Sequence, residues 1–330
     1  PRDWDRIGTE FHRWMREKAS DIGLVHSDDF EHLITVDVEH YGRSYATITR
    51  EIAQVHPSPA YRFAGYNADR GFTLQQQLLL APLVPQDGVD VVEKKVELVG
   101  RYVDIMLSRR VWNLRSLAYS TLSYQMFQVM RRIRRLSVPD LAQALYDTLR
   151  TETETFDTSN VLWLHQQNSW QVHLLLARLT DYLGVESGDQ SRYAEYARKT
   201  GVPYEIEHVW ANHPERHTAE FPQASDFSRH RNLVGGLLLV PKSFNASYRD
   251  MPYQEKQPHY LSQNLLARSL HPQCYVNNPG FVQFMAASEL AFQPYEDFNK
   301  QAVLDRSELY RELAKRVWDP AAILNAADVS

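Results

Sequence analysis

Two adjacent residues, Glu207 and His208, close the short run YEIEHV. A carboxylate beside an imidazole can do acid–base or metal work, because an imidazole with its usual pKa of about 6.5 takes a proton from water at neutral pH. Two side-chain amides follow, Asn232 in RHRNLVGG and Asn245 in LLLVPKSFNAS. Carboxylate and amide oxygens are the donors a hard divalent cation such as Mg²⁺ prefers. Together these groups suit phosphodiester hydrolysis, which needs an activated water, an in-line approach and neutralisation of charge on the leaving oxygen. Alone, a Glu-His pair says little, and Asn245 could equally be a helix cap. The ordered set is what carries the reading.

Those residues need a frame. YEIEHV and GGLLLV read as short strands, and PKSFNASY opens as a helix with Ser243 near its start. Neighbouring strand residues face opposite ways, so Glu207 and His208 share a site only if the strand ends there. The long stretch WANHPERHTAEFPQASDFSRHR is consistent with such an end and reads as an irregular, functional loop. Within it Arg229, His230 and Arg231 could contact phosphate or form a solvated basic turn, and Lys256 in YQEK carries the same two readings. His208, His213 and His217 invite a zinc site, but H-x₄-H-x₃-H with one remote cysteine matches no standard ligand set.

The first part of the chain reads helical. The segment at 3–20 has apolar residues at helical spacing. From 88, Val92, Val96, Val99, Val103 and Met106 line one face of a helix. A second long helix runs to about 136 and ends in MRRIRRL, whose four arginines would spread around a helix turn. The favoured reading is a solvated face paired with acidic neighbours, with a DNA-backbone grip or a docking surface as the alternative. Ser137 and Pro139 mark another helix start. Val172, Leu175, Leu176, Leu179 and Leu183 form a further stripe, with Gly184 as its stop. The texture turns polar near 185, which sets a boundary between a helical unit at 1–185 and a second unit at 186–330. QAVLDRSELYRELAKRVW closes the chain as an amphipathic helix.

The bulk properties narrow the class. The 330 residues carry a net charge of −5 and are 43% hydrophobic, enough for a sizeable core and without a global basic field for a polyanion. The one cysteine, Cys274, excludes a disulfide framework, reads as a buried small hydrophobe and points to a reducing, cytoplasmic setting. No apolar run is long enough to span a membrane, and no signal peptide opens the chain. Beginning at Pro1, the chain reads as a piece of a longer protein. A GxxxxGK[ST] loop, a GxGxxG turn and an HExxH pair are all missing.

An acid-His pair on a strand, an Asn before a second strand and an Asn on the next helix form an HNH-type pattern. The span from about 200 to 320 resembles the C-terminal HNH nuclease domain of GmrSD-type modification-dependent restriction enzymes, through IEHV, GGLLLVPKSFNAS, YQEK and the closing DRSELYRELAKRVW with Arg306 and Trp318. LSRRVWN and QVHLLLARLTDYLG resemble the helical segment that precedes that domain. The resemblance implies a mainly α chain, with an N-terminal helical domain followed by an α+β HNH (ββα-metal) nuclease domain with additional helices. It implies His208 as general base, Glu207 and Asn245 as ligands of Mg²⁺ (Mn²⁺ being the alternative), and double-stranded DNA as substrate. It also implies an amino-terminal NTPase half as partner, nicking of DNA, and a place in bacterial phage defence, including the branch associated with phosphorothioate DNA. The family's Gly-Asn-Leu would put an Asn at Gly236. Either Asn232, four residues earlier, holds the His208 loop or that role is vacant, and Glu207 stands where many relatives carry Asp. The rival function is a helical interaction or docking module with a degenerate nuclease domain.

Overall fold

The computed structural model describes residues 3–158 and 161–328. Helices dominate, and a two-stranded antiparallel sheet lies in the C-terminal part. The chain opens with short helices at Asp3–Thr9, Phe11–Lys18 and Ser27–His32, so the periodic segment at 3–20 breaks at Glu10. The helices that build the body begin with α1 (Glu39–Ile52), α2 (Gln75–Leu80), α3 (Val89–Trp112) and α4 (Tyr119–Ile133). α5 (Val138–Thr151) and α6 (Ser169–Glu186) complete the first part.

α3 is the central rod. Its expected stripe is buried at Val96, Val99, Val103 and Met106, but so are Leu98, Tyr102 and Ile105 on other faces. The surplus burial has a cause: the helix Arg62–Asp69, α5 and the C-terminal helix α11 (Ala321–Asp328) pack around it. α5 starts as its sequence dictates, with Ser137 Oγ accepting from the Asp140 amide and Pro139 in the first turn. Gly184 does not stop α6, which runs to Glu186; the left-handed turn is made instead by Gly188, at φ +97°.

Beyond α6 come β1 (Tyr204–His208), α7 (Ala224–Arg231), β2 (Leu237–Pro241), α8 (Lys242–Tyr248), α9 (Tyr253–Tyr260) and α10 (Lys300–Val317). The expected irregular stretch after β1 thus contains a helix, α7, and a 3₁₀ turn at Pro214–His217. β1 and β2 pair from Tyr204↔Pro241 to His208↔Leu237. The buried core runs without interruption across residue 185, from Ile48 to Ala326. At one junction Asp104 Oδ2 on α3 accepts from Arg178 on α6 at 2.8 Å and from Trp318 Nε1, just past α10, at 3.1 Å. Cys274 is buried, and among the described residues no helix is long and apolar enough to cross a membrane.

Candidate active site

The hairpin is held from behind. Gly235 lies so close to α10 that a Cβ there would meet the Val303 carbonyl at 2.3 Å and the Ser307 amide at 2.4 Å. Its amide donates to Ser307 Oγ at 3.1 Å, and its carbonyl accepts from Arg306 Nε at 3.3 Å. Arg306 is fully buried and satisfied by neutral oxygens, those of Leu266, Ser269 and Tyr310 besides Gly235. A buried charge without such partners would cost several kcal/mol, so this arrangement fixes the start of β2 against α10.

β1 pairs with β2 through His208, so Glu207 and His208 face opposite sides of the strand, and the imidazole stands at the mouth of the hairpin. Its Nε2 lies 2.9 Å from Asn232 Oδ1. Asn232 caps the C-terminus of α7, and its Nδ2 donates to the Ser228 carbonyl at 3.0 Å. That donation orients the amide, so Oδ1 faces the ring and Nε2 carries the proton. Nδ1 is left with a lone pair, makes no hydrogen bond among the described residues and is not sealed from solvent. The loop bearing Asn232 is pinned on its far side: Leu164 N donates to the Asn232 carbonyl at 2.8 Å, Val234 N to the Leu162 carbonyl at 2.9 Å, and Trp163 bridges Leu233. Between the two readings of the middle Asn, the structure sets Asn232 against His208. Gly236 is backed against the Arg231 carbonyl, which a Cβ would approach to 3.2 Å.

Burial pushes the His208 imidazole down to about 4, the Arg231 charge adds to the shift, and the Asn232 hydrogen bond opposes it. The ring is therefore neutral at pH 7. Arg231 is half-buried, with its Nε donating to the Trp210 carbonyl at 3.0 Å. Arg229 is exposed and forms no ion pair among the described residues. A phosphate contact is open to Arg229 and, through its other guanidinium nitrogens, to Arg231.

Lys256 requires a correction. It is buried, not at a phosphate-facing surface, and its ammonium lies 2.6 Å from Glu207 Oε1 and 2.9 Å from the His208 carbonyl. Tyr260 also donates to Glu207 Oε1, at 3.4 Å. Burial pushes the Glu207 carboxyl up and the Lys256 ammonium down, and each partner opposes the other's shift. The sequence signal was available: Tyr253, Lys256 and Tyr260 recur at steps of three and four along α9, and all three are buried. Beside this cluster, the Tyr248 hydroxyl on α8 is buried and has no partner among the described residues.

Asn245 sits on the first turn of α8 and donates to Glu205 Oε2 at 2.9 Å, so its direct partner is the acid two residues before Glu207. Glu205 and Glu207 share a face of β1. Glu207, buried on Lys256, and Asn245, bonded to Glu205, are joined by no hydrogen bond among the described residues. Glu207 Oε2 and Asn245 Oδ1 are oxygens without a hydrogen-bond donor among the described residues, on a strand and helix of the same ββα unit. Among those residues no group of three or more His, Cys, Asp or Glu is placed to share one ion. A site here would therefore have two protein donors, an arrangement Mg²⁺ tolerates because it keeps several waters. The zinc alternative finds no convergence: His213 bonds to Glu215 and Asp250, and His217 packs on Trp210 and Phe227.

A hairpin, a following helix and an imidazole fixed by an amide at the hairpin's mouth make up a ββα arrangement. Residues 151–313 match the family model of GmrSD restriction endonucleases, C-terminal domain. The match spans just under half of the chain, begins ahead of the polar stretch at 185 and includes every residue of the site. A restriction-nuclease role, with DNA as substrate, is what that family implies for the segment. No curated protein and no solved structure matches the chain.

Proposed function

We propose that this chain is a metal-dependent DNA endonuclease that nicks one strand per engagement. The observation that carries the reading is the His208–Asn232 contact, which directs a neutral Nδ1 lone pair outward. A water hydrogen-bonded to Nδ1 is deprotonated as its oxygen attacks phosphorus. The P–O3′ bond breaks, the proton rests on Nδ1, and the departing 3′ oxygen is protonated from solvent. Asn232 holds the ring in the correct tautomer, and Arg231 places positive charge near the developing phosphorane. A divalent cation held by Glu207 and Asn245, Mg²⁺ or Mn²⁺, would supply charge neutralisation at the leaving oxygen. One imidazole and one such site account for one cut. We place the activity in restriction of phage DNA, with the family resemblance as its support and the phosphorothioate branch as its narrower form.

The test uses supercoiled plasmid with Mg²⁺ or Mn²⁺. Wild type converts it to open circle, and His208→Ala does not; undiminished nicking by that variant would remove His208 from the mechanism. The Glu207–Lys256 ion pair favours one rival, a docking module in which that pair is purely structural. Melting with and without Mn²⁺ separates the two. The nuclease gains stability on adding the ion and loses that gain in Glu207→Ala/Asn245→Ala, whereas the docking module shows no gain at all.

A further inference from the structure

α4 carries only Arg131 and Arg132 in its last turn, and Arg134 and Arg135 lie past its end. It ends at Ile133, which is fully buried, and the chain reverses through Arg135 in the left-handed region at φ 59° before the Ser137 cap of α5. The corner is rigidly anchored: the Arg135 amide donates to the Ala81 carbonyl, just past α2, at 3.1 Å. Arg131, Arg132, Arg134 and Arg135 are all exposed, and among the described residues none has an ion-pair partner. Arg132 donates to Thr148 Oγ1, and Arg131 lies 5.9 Å from the Phe127 ring. Arg131, Arg134 and Arg135 border an open cleft of about 750 Å³.

The other basic run differs in its partners. Arg109 turns inward to the Leu149 carbonyl, while Arg110 and Arg115 both lie against Glu154. In a chain of net charge −5, four cations left without carboxylates on a fixed corner make a local anion site. Guanidinium forks match phosphate oxygens bidentately.

We infer that the Arg131–Arg134–Arg135 corner grips the phosphate backbone of double-stranded DNA, as a contact separate from the His208 site. The inference rests on the nuclease reading for its ligand. The test compares wild type, Arg131→Ala/Arg134→Ala/Arg135→Ala, the corresponding triple Lys variant and His208→Ala in the full chain. Anisotropy of a labelled duplex across a salt series is read alongside plasmid nicking and melting.

The triple Ala variant should melt like wild type, bind about tenfold or more weakly near 100 mM salt, and show a log–log salt slope flatter by about 2–3, at ~0.9 per phosphate lost. Triple Lys should keep most of the slope, and His208→Ala all of it. Wild-type affinity and slope in triple Ala, with wild type nicking normally, overturn the grip alone and leave the corner to an acidic protein partner. A wild type that neither binds nor nicks DNA overturns the nuclease reading, and the grip with it. If triple Ala fails to fold, Arg131→Gln/Arg134→Gln/Arg135→Gln takes its place: weaker binding with a flatter salt slope supports the grip, and wild-type affinity and slope overturn it.

Discussion

The Lys256 ammonium and the Glu207 carboxylate meet at 2.6 Å with their side chains only 2% and 6% exposed, so each neutralises a charge the interior would otherwise reject. Removing one partner strands the other. Lys256→Met should cost about 3 kcal/mol at pH 7.5, within the range for breaking a buried pair. Without the ammonium the Glu207 carboxyl, already raised by burial, rises further in the folded state. A raised carboxyl contributes stability at low pH that is lost as pH rises through the folded value. The deficit should therefore shrink at pH 5, and Glu207→Gln/Lys256→Met should recover most of it. Urea melts at the two pH values check this, and a deficit independent of pH would show that Glu207 is not the stranded charge.

The His208 tautomer depends on one amide. Asn232→Ala should lower the nicking rate about 10²-fold, at the lower end for losing a positioned general base, with DNA affinity unchanged. Asn232→Asp keeps the acceptor oxygen and should retain more activity than Asn232→Ala. Single-turnover nicking and duplex binding, measured side by side, separate this from loss of fold.

Acid should inhibit late. Because burial lowers His208 to about 4, the base stays neutral well below pH 6, and the acidic limb of nicking should fall near pH 4–5. Asn232→Asp places a carboxylate on Nε2 and should move that limb upward. Stability follows the same shift. Between the ordinary imidazole value and about 4 the unfolded chain binds a proton that the folded chain refuses, so this contribution is present at neutral pH and lost as pH falls. His173, also lowered to about 4 by burial, acts in the same direction. Glu152, raised to about 7 by burial, acts oppositely, destabilising as pH rises toward 7. Melts of His173→Gln across pH 4–7 should show a shallower acid-side loss than wild type.

Gly235 tests the support behind the hairpin. A Cβ at 2.3–2.4 Å from α10 backbone atoms cannot be relieved by turning a side chain, so Gly235→Ala should destabilise by about 2–3 kcal/mol, as overpacking does. Gly42→Ala, in α1 with nothing within 4 Å of its Cβ, should be neutral or stabilising by up to ~1 kcal/mol. Equal effects from the two would mean that α10 yields to β2.

Much of the frame could be read along the chain because its causes are local. Ser137 capping α5, the buried stripe of α6 and the strand–strand–helix order around His208 follow from side-chain period and turn chemistry. Gly184 misled because a glycine near a helix end is a stop only where the backbone turns left-handed, and here that turn falls at Gly188. The extent of burial around α3 was hidden for a different reason: periodicity reports one neighbour, whereas α3 has several.

By itself the sequence determined the chemistry on offer: an acid and an imidazole at a strand end, two amides in order behind them, and no global basic field. Tertiary structure alone decided the pairings. It set Asn232 on His208 through α7 and the 161–164 segment, gave Asn245 to Glu205, buried Lys256 on Glu207, and left the corner at 131–135 without carboxylates. The physical reason is range. Period and capping act within a few residues, whereas a buried cation finds its partner 49 residues away along the chain, and only the packing of α9 against the hairpin brings the two together.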